Sequence, residues 1–339
     1  MKKILVTGGC GYIGSHTVVD LIQQGFEVIC ADSFVHSNRH IPKGIEAITG
    51  KALKIYDGDL CNADVVQQLF ESEQPDAVIH FAAFKSVPES VAQPLLYYQN
   101  NLNSLLNVLQ QSENYGVKGV VFSSSAAVYG NTTNPLLTET TPLLPAESPY
   151  GHTKQIGEDM ITAHARQSKG AFVSLRYFNP SGAHPSAQIG ELPMATYNVT
   201  PRITATAIGM FEKFMVYGND YPTRDGTCVR DYIHVMDIAR AHTQALHFLQ
   251  HQPTATHEVF NLGTGDGVTV MELIDAFESA SKQKLNYEIT GRRAGDVAIL
   301  CADATKAKQQ LQWLPQYSVF DMMKTAWDWQ LRLRELNWR

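Results

Sequence analysis

The stretch VTGGCGYIGSH, residues 6–16, sets the tightest limit on how this chain can fold. A short β-branched run, Lys3 to Thr7, leads into it, and an apolar helical pattern, about Tyr12 to Gln24, leaves it. Gly8, Gly11 and Gly14 stand in G-x-x-G-x-x-G order across the junction. Glycines so spaced let the turn close and let backbone approach a pyrophosphate, while the free N–H groups of the helix start face the anion. An ordinary glycine-rich turn has the same composition, so the motif takes its meaning from strand, loop and helix falling together.

The first half of the chain repeats that alternation. Strand candidates follow at Glu27 to Ala31, Leu53 to Tyr56, Ala77 to His80, Gly119 to Ser123 and Phe172 to Tyr177. Helical patterns lie between them at about Ala63 to Ser72, Leu102 to Glu113 and Tyr150 to Gln167. This predicts an α/β fold with a Rossmann-type doubly wound parallel sheet. Past Arg176 comes a run rich in Pro, Gly, Ser and Asn, residues 177–201, too long for an ordinary connection and so expected to carry a site. The remainder reads as a smaller mixed α/β lobe, with strands near Phe214 to Tyr217 and Tyr232 to Val235. Its helices are expected at about Val235 to Leu249, Thr269 to Ser281 and Phe320 to Leu333. At 339 residues the chain exceeds the ~250–300 at which single cores stop growing. The expected division is a dinucleotide-binding domain over 1–180 and a mainly substrate-binding domain over 181–339, with segments returning to the first.

Composition removes several function classes. A net charge of −6 does not recommend a nucleic-acid or membrane-surface partner. The five cysteines are dispersed without C-x-x-C or zinc spacing and read as reduced thiols, and none of the twelve histidines is assigned a metal. The apolar run of MKKILVTGGC ends at Val6, short of the ~7–15 residues of a signal core. No run approaches the ~18 residues of a membrane span, so the cytoplasm is the expected location.

Other residues converge on the rim marked by the glycine loop. Asp32 closes the second strand eighteen residues after Gly14, where a carboxylate can accept ribose hydroxyls, although a turn aspartate would look the same. A carboxylate there repels a 2′-phosphate and favours NAD over NADP, with Arg39 and Lys43 pulling the other way. Asp59 follows the third strand, HFAAFKS the fourth, and the serines of VVFSSSAAVYG the fifth, which puts Ser125 on the same rim. SPYGHTK then places Tyr150 and Lys154 at i and i+4 on one helix face, a spacing that equally describes two solvated neighbours. A tyrosine of pKa ~10 is a poor base at neutral pH, but an ammonium and a cationic nicotinamide beside it stabilise its phenolate. So tuned, it can remove the proton of a sugar hydroxyl, with a serine orienting or relaying.

Together these features resemble the extended short-chain dehydrogenase/reductase family, and within it the UDP-hexose 4-epimerase branch. The likeness runs from Lys3 to about Gln330 through VTGG, GYIGSHT, VIHFAA, SSSAAVYG, SPYG.TK, RYFNPSGAHPS, YGNDYPTRDGT, VRDYIHVMD, FNLGTG and RRAGD. It implies reversible 4-epimerisation of UDP-glucose and UDP-galactose in galactose metabolism and in the supply of UDP-sugars for polysaccharides. Tyr150 would take the proton of the 4-hydroxyl, retained NAD would take and return the hydride of carbon 4, and the keto sugar would rotate between. Lys154 would contact the nicotinamide ribose and tune Tyr150, and Ser125 would support the transfer. The NAD site would be lined by Gly8, Gly11, Tyr12, Ile13, Gly14, Asp32, Ser37, Asp59, Leu60, Phe81, Ala82, Lys85, Asn100, Ser125, Tyr150, Lys154 and Phe178. The UDP-sugar would meet Asn179, Asn198, Met215, Val216, Tyr217, Arg230, Arg293, Asp296 and Leu300, sharing Lys85, Ser125 and Tyr150. Fixed guanidinium donors suit a diphosphate, though solvated surface arginines look alike in sequence. A homodimer pairing the Leu102 and Tyr150 helices is also implied.

The chain departs from the family pattern in places. Ala83 and Pro88 replace usual glycines, so the nicotinamide-side loop is expected to be stiffer. The segment Thr196 to Pro201 keeps only Asn198 and Pro201, and Ala127 removes a usual hydroxyl. Leu300 stands where hexose-selective members carry tyrosine and members admitting N-acetylated sugars carry something smaller, which leaves UDP-GlcNAc and UDP-GalNAc open. The terminal WDWQLRLRELNWR reads as an amphipathic helix covering the core or as a partner surface. Two other readings share the fold. A dehydratase would carry Thr-Asp-Glu where this chain has Ser125, Ala126 and Ala127, and a non-catalytic dinucleotide sensor has no need of Tyr150 and Lys154.

Overall fold

Seven parallel strands build the central sheet, in the order Thr256–Leu262, Ala171–Tyr177, Gly119–Ser123, Ala77–His80, Lys3–Thr7, Glu27–Asp32 and Lys54–Asp57. The computed structural model describes residues 1–192, 198–293 and 295–336. Helices cover both faces, so the strands are near-continuous apolar runs: Ile4 and Val6 turn into one core and Leu5 into the other, all fully buried. One core packs Val18 and Leu21 of the Tyr12–Gln23 helix with Ile238 and Leu246 of Val235–Leu249. The other packs Phe70, Leu105, Val108 and Ile161.

Six strands fall within a residue of the predicted runs. The seventh, Thr256–Leu262, was not expected. It lies at the sheet edge beside Ala171–Tyr177, where its first residues are only partly buried and tolerate the polar Thr256, His257 and Glu258 that hide it. The chain therefore returns to the first sheet after building part of the second lobe. The helix expected from Leu102 starts instead at Pro94 and runs to Asn114. Proline suits a first helical turn, where its missing N–H has no intrahelical partner to lose. Tyr97 to Asn101 carry no clear apolar period, which concealed the start.

Short sheets build the second lobe. Val268–Thr269, Val229–Arg230, Ile299–Ala302 and Leu136–Leu137 form one; Asn179–Ser181 pairs with Tyr232–His234, and Phe214–Tyr217 with Tyr287–Thr290. A third core gathers Val216, Phe277, Met323 and Trp327 beneath them. The terminal helix, Val319–Leu336, lays Trp327 and Trp329 inward, as the core-covering reading expects; residues 337–339 lie outside the described residues. The buried Asp231 carboxylate accepts the backbone N–H groups of Thr264, Gly265 and Ala302, which ties the FNLGTG loop to the Ile299–Ala302 strand. In the main sheet the strand order reverses at Lys3–Thr7, between Glu27–Asp32 and Ala77–His80. Open sheets form their ligand crevice at such a point, beyond the carboxyl ends of the strands.

Candidate active site at the sheet rim

The crevice is a cavity of about 540 Å³. Gly8 opens it with φ of +66°, and a Cβ there would strike the Ala82 nitrogen at 2.8 Å. At Gly14 a Cβ would lie 2.2 Å from the Gly8 carbonyl oxygen, so the helix start and the loop close on each other only as glycines. Asp32 braces this loop: its carboxylate accepts the Cys10 N–H at 2.9 Å, the Phe34 N–H at 2.9 Å and the Ser37 hydroxyl at 2.7 Å. Arg39 does not stand free beside it. Its guanidinium pairs with Asp57 at 2.6 Å and lies over the Phe34 ring, so its charge is already met. Glycine cradle, strand-end carboxylate and a crevice of this volume fit a dinucleotide. Every residue that the family likeness assigned to the cofactor, Gly8 through Phe178, lines this cavity.

The Pro149–Ala165 helix delivers the tyrosine and lysine. Ser148 caps it, its hydroxyl accepting the Gly151 N–H at 3.2 Å, and Pro149 fills the first turn. A Cβ on Gly151 would meet the Ala127 carbonyl oxygen at 3.0 Å, so glycine lets the helix start press on the serine turn. Lys154 is 4% exposed; its ammonium donates to the Ser123 carbonyl at 2.6 Å and lies 5.9 Å from the Tyr150 ring centroid. Burial lowers its pKa to about 7, opposed by the charge of Glu158. Burial raises the Tyr150 phenol above its ordinary value, and a hydrogen bond with Ser125 pulls it back down. His80 lies beneath, its pKa lowered to about 3 by burial and by the Lys154 charge, so it stays neutral.

The substrate-side expectations divide. Asn179, Asn198, Arg230 and Leu300 line the cavity with Lys85, Ser125 and Tyr150. Parallel pairing sets Arg230 directly beside Leu300. Met215, Val216, Tyr217, Arg293 and Asp296 do not line it. Val216 is buried in the third core, and Asp296 bridges Arg230 at 3.2 Å to Arg293 at 2.9 Å, with Arg293 5.7 Å from the Tyr217 ring centroid. Asp296 thus links Arg293 to the cavity-lining Arg230. Asn198 starts the Val199–Ala207 helix without capping it and donates to Glu191 at 3.0 Å instead, while Lys85 pairs with the same carboxylate at 2.8 Å. Thr196, among the departures, lies outside the described residues. Pro88 falls in the first turn of the Val87–Ala92 helix, capped by Ser86, so the loop ends in regular structure. Ala83 and Ala127 both line the cavity.

Several residues at the rim escaped the sequence reading. The Tyr177 phenol is hydrogen-bonded to the Ser123 hydroxyl, and burial first and the neighbouring Tyr150 second push its pKa up. Glu158, one turn past Lys154, pairs with Arg176 through two bonds of 2.9 and 2.5 Å. The helical period continued from Tyr150 and Lys154 would have reached Glu158; nothing local marks Glu191. Among the described residues no group of three His, Cys, Asp or Glu is placed to hold a metal ion.

The family model described as GDP-mannose 4,6 dehydratase matches residues 5–326. UDP-glucose 4-epimerase of Bacillus subtilis (strain 168) is 44% identical over 329 residues, covering 96% of each chain. The crystal structure of UDP-glucose-4-epimerase from Stenotrophomonas maltophila, with bound NAD and formylated UDP-arabinopyranose, superposes with a TM-score of 0.96 at 42% identity, covering 99% of this chain and 100% of that one. The Bifidobacterium longum enzyme in complex with NAD+ and UDP gives a TM-score of 0.91 at 41% identity, covering 98% of each. Likeness of this extent, on a rim that carries Ser125, Tyr150 and Lys154 without the dehydratase Thr-Asp-Glu, makes the chain a member of the UDP-glucose 4-epimerase family within the extended short-chain dehydrogenases/reductases.

Proposed function

We propose that the chain interconverts UDP-glucose and UDP-galactose at carbon 4, with NAD retained as a prosthetic group, in galactose metabolism and the supply of UDP-sugars for polysaccharides. The observation that carries this reading is Tyr150, backed by buried Lys154, lining the same cavity as Ser125 and the glycine cradle. Bound NAD supplies the two-electron acceptor and donor for carbon 4 and adds positive charge beside the phenol. Tyr150 takes the proton of the 4-hydroxyl and later returns it. Ser125 orients the hydroxyl oxygen, and Lys154 stabilises the phenolate. Residues 1–180 hold the cofactor, and 181–339 mainly hold the UDP-sugar, with Val235–Leu249 and Thr256–Leu262 returning to the first domain. Arg230 is the cavity's diphosphate donor, extended by Arg293, with Asn179 and Asn198 as neutral donors and Met215, Tyr217 and Asp296 at the outer end. Purified protein given UDP-galactose without added cofactor is expected to form UDP-glucose, followed by NMR; no conversion with NAD shown to be bound ends the reading.

Leu300 and Ala127 leave the sugar end of the cavity less filled than tyrosine and threonine would. Turnover of UDP-GalNAc beside UDP-galactose is therefore expected, and Leu300→Tyr is expected to lower the acetylated reaction about tenfold relative to the plain one, since one pocket contact is worth ~1–3 kcal/mol. Equal ratios in both proteins would remove Leu300 as the gate.

A homodimer is the favoured assembly. Leu95 (80% exposed) and Leu106 (53%) sit on the Pro94–Asn114 helix beside exposed Val91 (62%), an apolar stripe that water would otherwise meet. Leu95→Asp is expected to give a monomer by sedimentation; a monomeric parent, or a variant that stays dimeric, counts against this surface. No helix among the described residues is long and apolar enough to cross a membrane. Five free thiols support a reducing, cytoplasmic setting, which fractionation would test.

A further inference from the structure

We propose that Glu158 is a positioning residue for this chemistry, holding the serine strand end in register with Tyr150 and supplying the negative charge that keeps Lys154 an ammonium. The proposal rests on the epimerase reading above. Tyr150, Lys154 and Glu158 follow at i, i+4 and i+8 on one helix, so the base, the cation behind it and the carboxylate form one stripe. Glu158 is 5% exposed, and every bond it makes locks the rim. One carboxylate oxygen accepts the Ser124 hydroxyl at 2.5 Å and the Arg176 Nε at 2.9 Å; the other accepts an Arg176 terminal nitrogen at 2.5 Å.

The partners explain the reach of this group. Ser124 lies between Ser123, whose carbonyl receives Lys154, and Ser125, which lines the cavity with Tyr150. Arg176 precedes Tyr177, which bonds the Ser123 hydroxyl, and continues through the Tyr129 hydroxyl at 3.1 Å to Asn261 at 2.6 Å. The carboxylate thus ties the helix to the end of Gly119–Ser123 and to Ala171–Tyr177 directly, and to Thr256–Leu262 through Arg176, Tyr129 and Asn261. A buried ion pair is a weak route to stability, since apolar residues of like volume often serve as well. Its position directly behind the lysine points to a role in the site.

The groups facing Lys154 set the sign of the effect. Its own helix presents Tyr150 and Glu158; the Ala77–His80 strand presents neutral His80; Gly119–Ser123 presents the Phe122 ring and the Ser123 carbonyl. From Ala171–Tyr177 come Tyr177, which faces Tyr150, and Arg176, locked on Glu158. Glu158 supplies the negative charge in this set that acts on Lys154. Removing it makes the lysine shed its proton at lower pH, and Tyr150 then loses its cation.

The test is the pH dependence of kcat and KM for UDP-galactose in the purified holoenzyme, its Glu158→Gln variant and the double variant Glu158→Gln/Arg176→Gln. The double variant leaves no unpaired buried cation and so keeps a folded protein in the comparison. The alkaline limb of kcat is expected to move down by about one pH unit in Glu158→Gln and by a smaller amount in the double variant, which also removes the Arg176 cation, with kcat above that limb falling roughly tenfold in the single variant. KM is expected to stay within about twofold, because Glu158 lies behind the reacting groups. An unchanged profile overturns the proposal, and so does a fall in kcat with an unmoved limb, which marks a purely structural role. Failure of the epimerase reading shows separately, as a parent protein without activity.

Discussion

Tyr150→Phe is expected to abolish epimerisation while leaving NAD and UDP-sugar bound. The substitution keeps the ring in the cavity wall and removes the phenolic oxygen that takes the proton. General-base catalysis is worth about 10²–10⁴-fold, so kcat is expected to fall by at least the lower figure with KM little changed. Burial raises the pKa of this phenol, so without help it would be protonated near neutral pH and useless as a base. The site therefore depends on the cation behind it, and the acid limb of the parent's kcat profile is expected to lie well below the ordinary tyrosine value of ~10. A Tyr150→Phe protein within tenfold of the parent would mean that another group takes the proton.

The second large effect belongs to the cofactor cradle. In Gly14→Val a Cβ would stand 2.2 Å from the Gly8 carbonyl oxygen and 2.9 Å from the Gly9 Cα, contacts with backbone that no side-chain rotation relieves. The loop must open, and with it the N–H groups aimed at the pyrophosphate. We expect the variant to purify with less than about a tenth of the parent's NAD, a loss of more than ~1.4 kcal/mol in binding, measured by acid release and chromatography. Full NAD content in a folded Gly14→Val protein would place the dinucleotide elsewhere.

Where pattern and burial agree, the sequence is readable. Lys3–Thr7, Ala77–His80 and Gly119–Ser123 are buried on both faces, so each is an apolar run with sharp ends. Thr256–Leu262 obeys edge rules and mixes His, Glu and Asn into its length. The Pro94–Asn114 helix exposes leucines and buries Tyr97, Asn101 and Ser104, which inverts the usual pattern and hides its first two turns. At the site, residues on loops that follow strands announced themselves, because strand ends converge on one rim. Glu158 is a lone acid inside a helix until the fold sets Arg176 and Ser124 against it. Glu191 meets Lys85, 106 residues away, only through long-range folding, and no spacing along the chain could show that.

The central claim is that carbon 4 gives up and regains its own hydrogen inside one closed site. Deuterium at carbon 4 of UDP-galactose, supplied to the purified protein in ordinary water without added cofactor, tests it most directly. UDP-glucose that keeps the label at carbon 4 is the expected product; product that has exchanged it for solvent hydrogen, or no product from NAD-loaded protein, would overturn this chemistry.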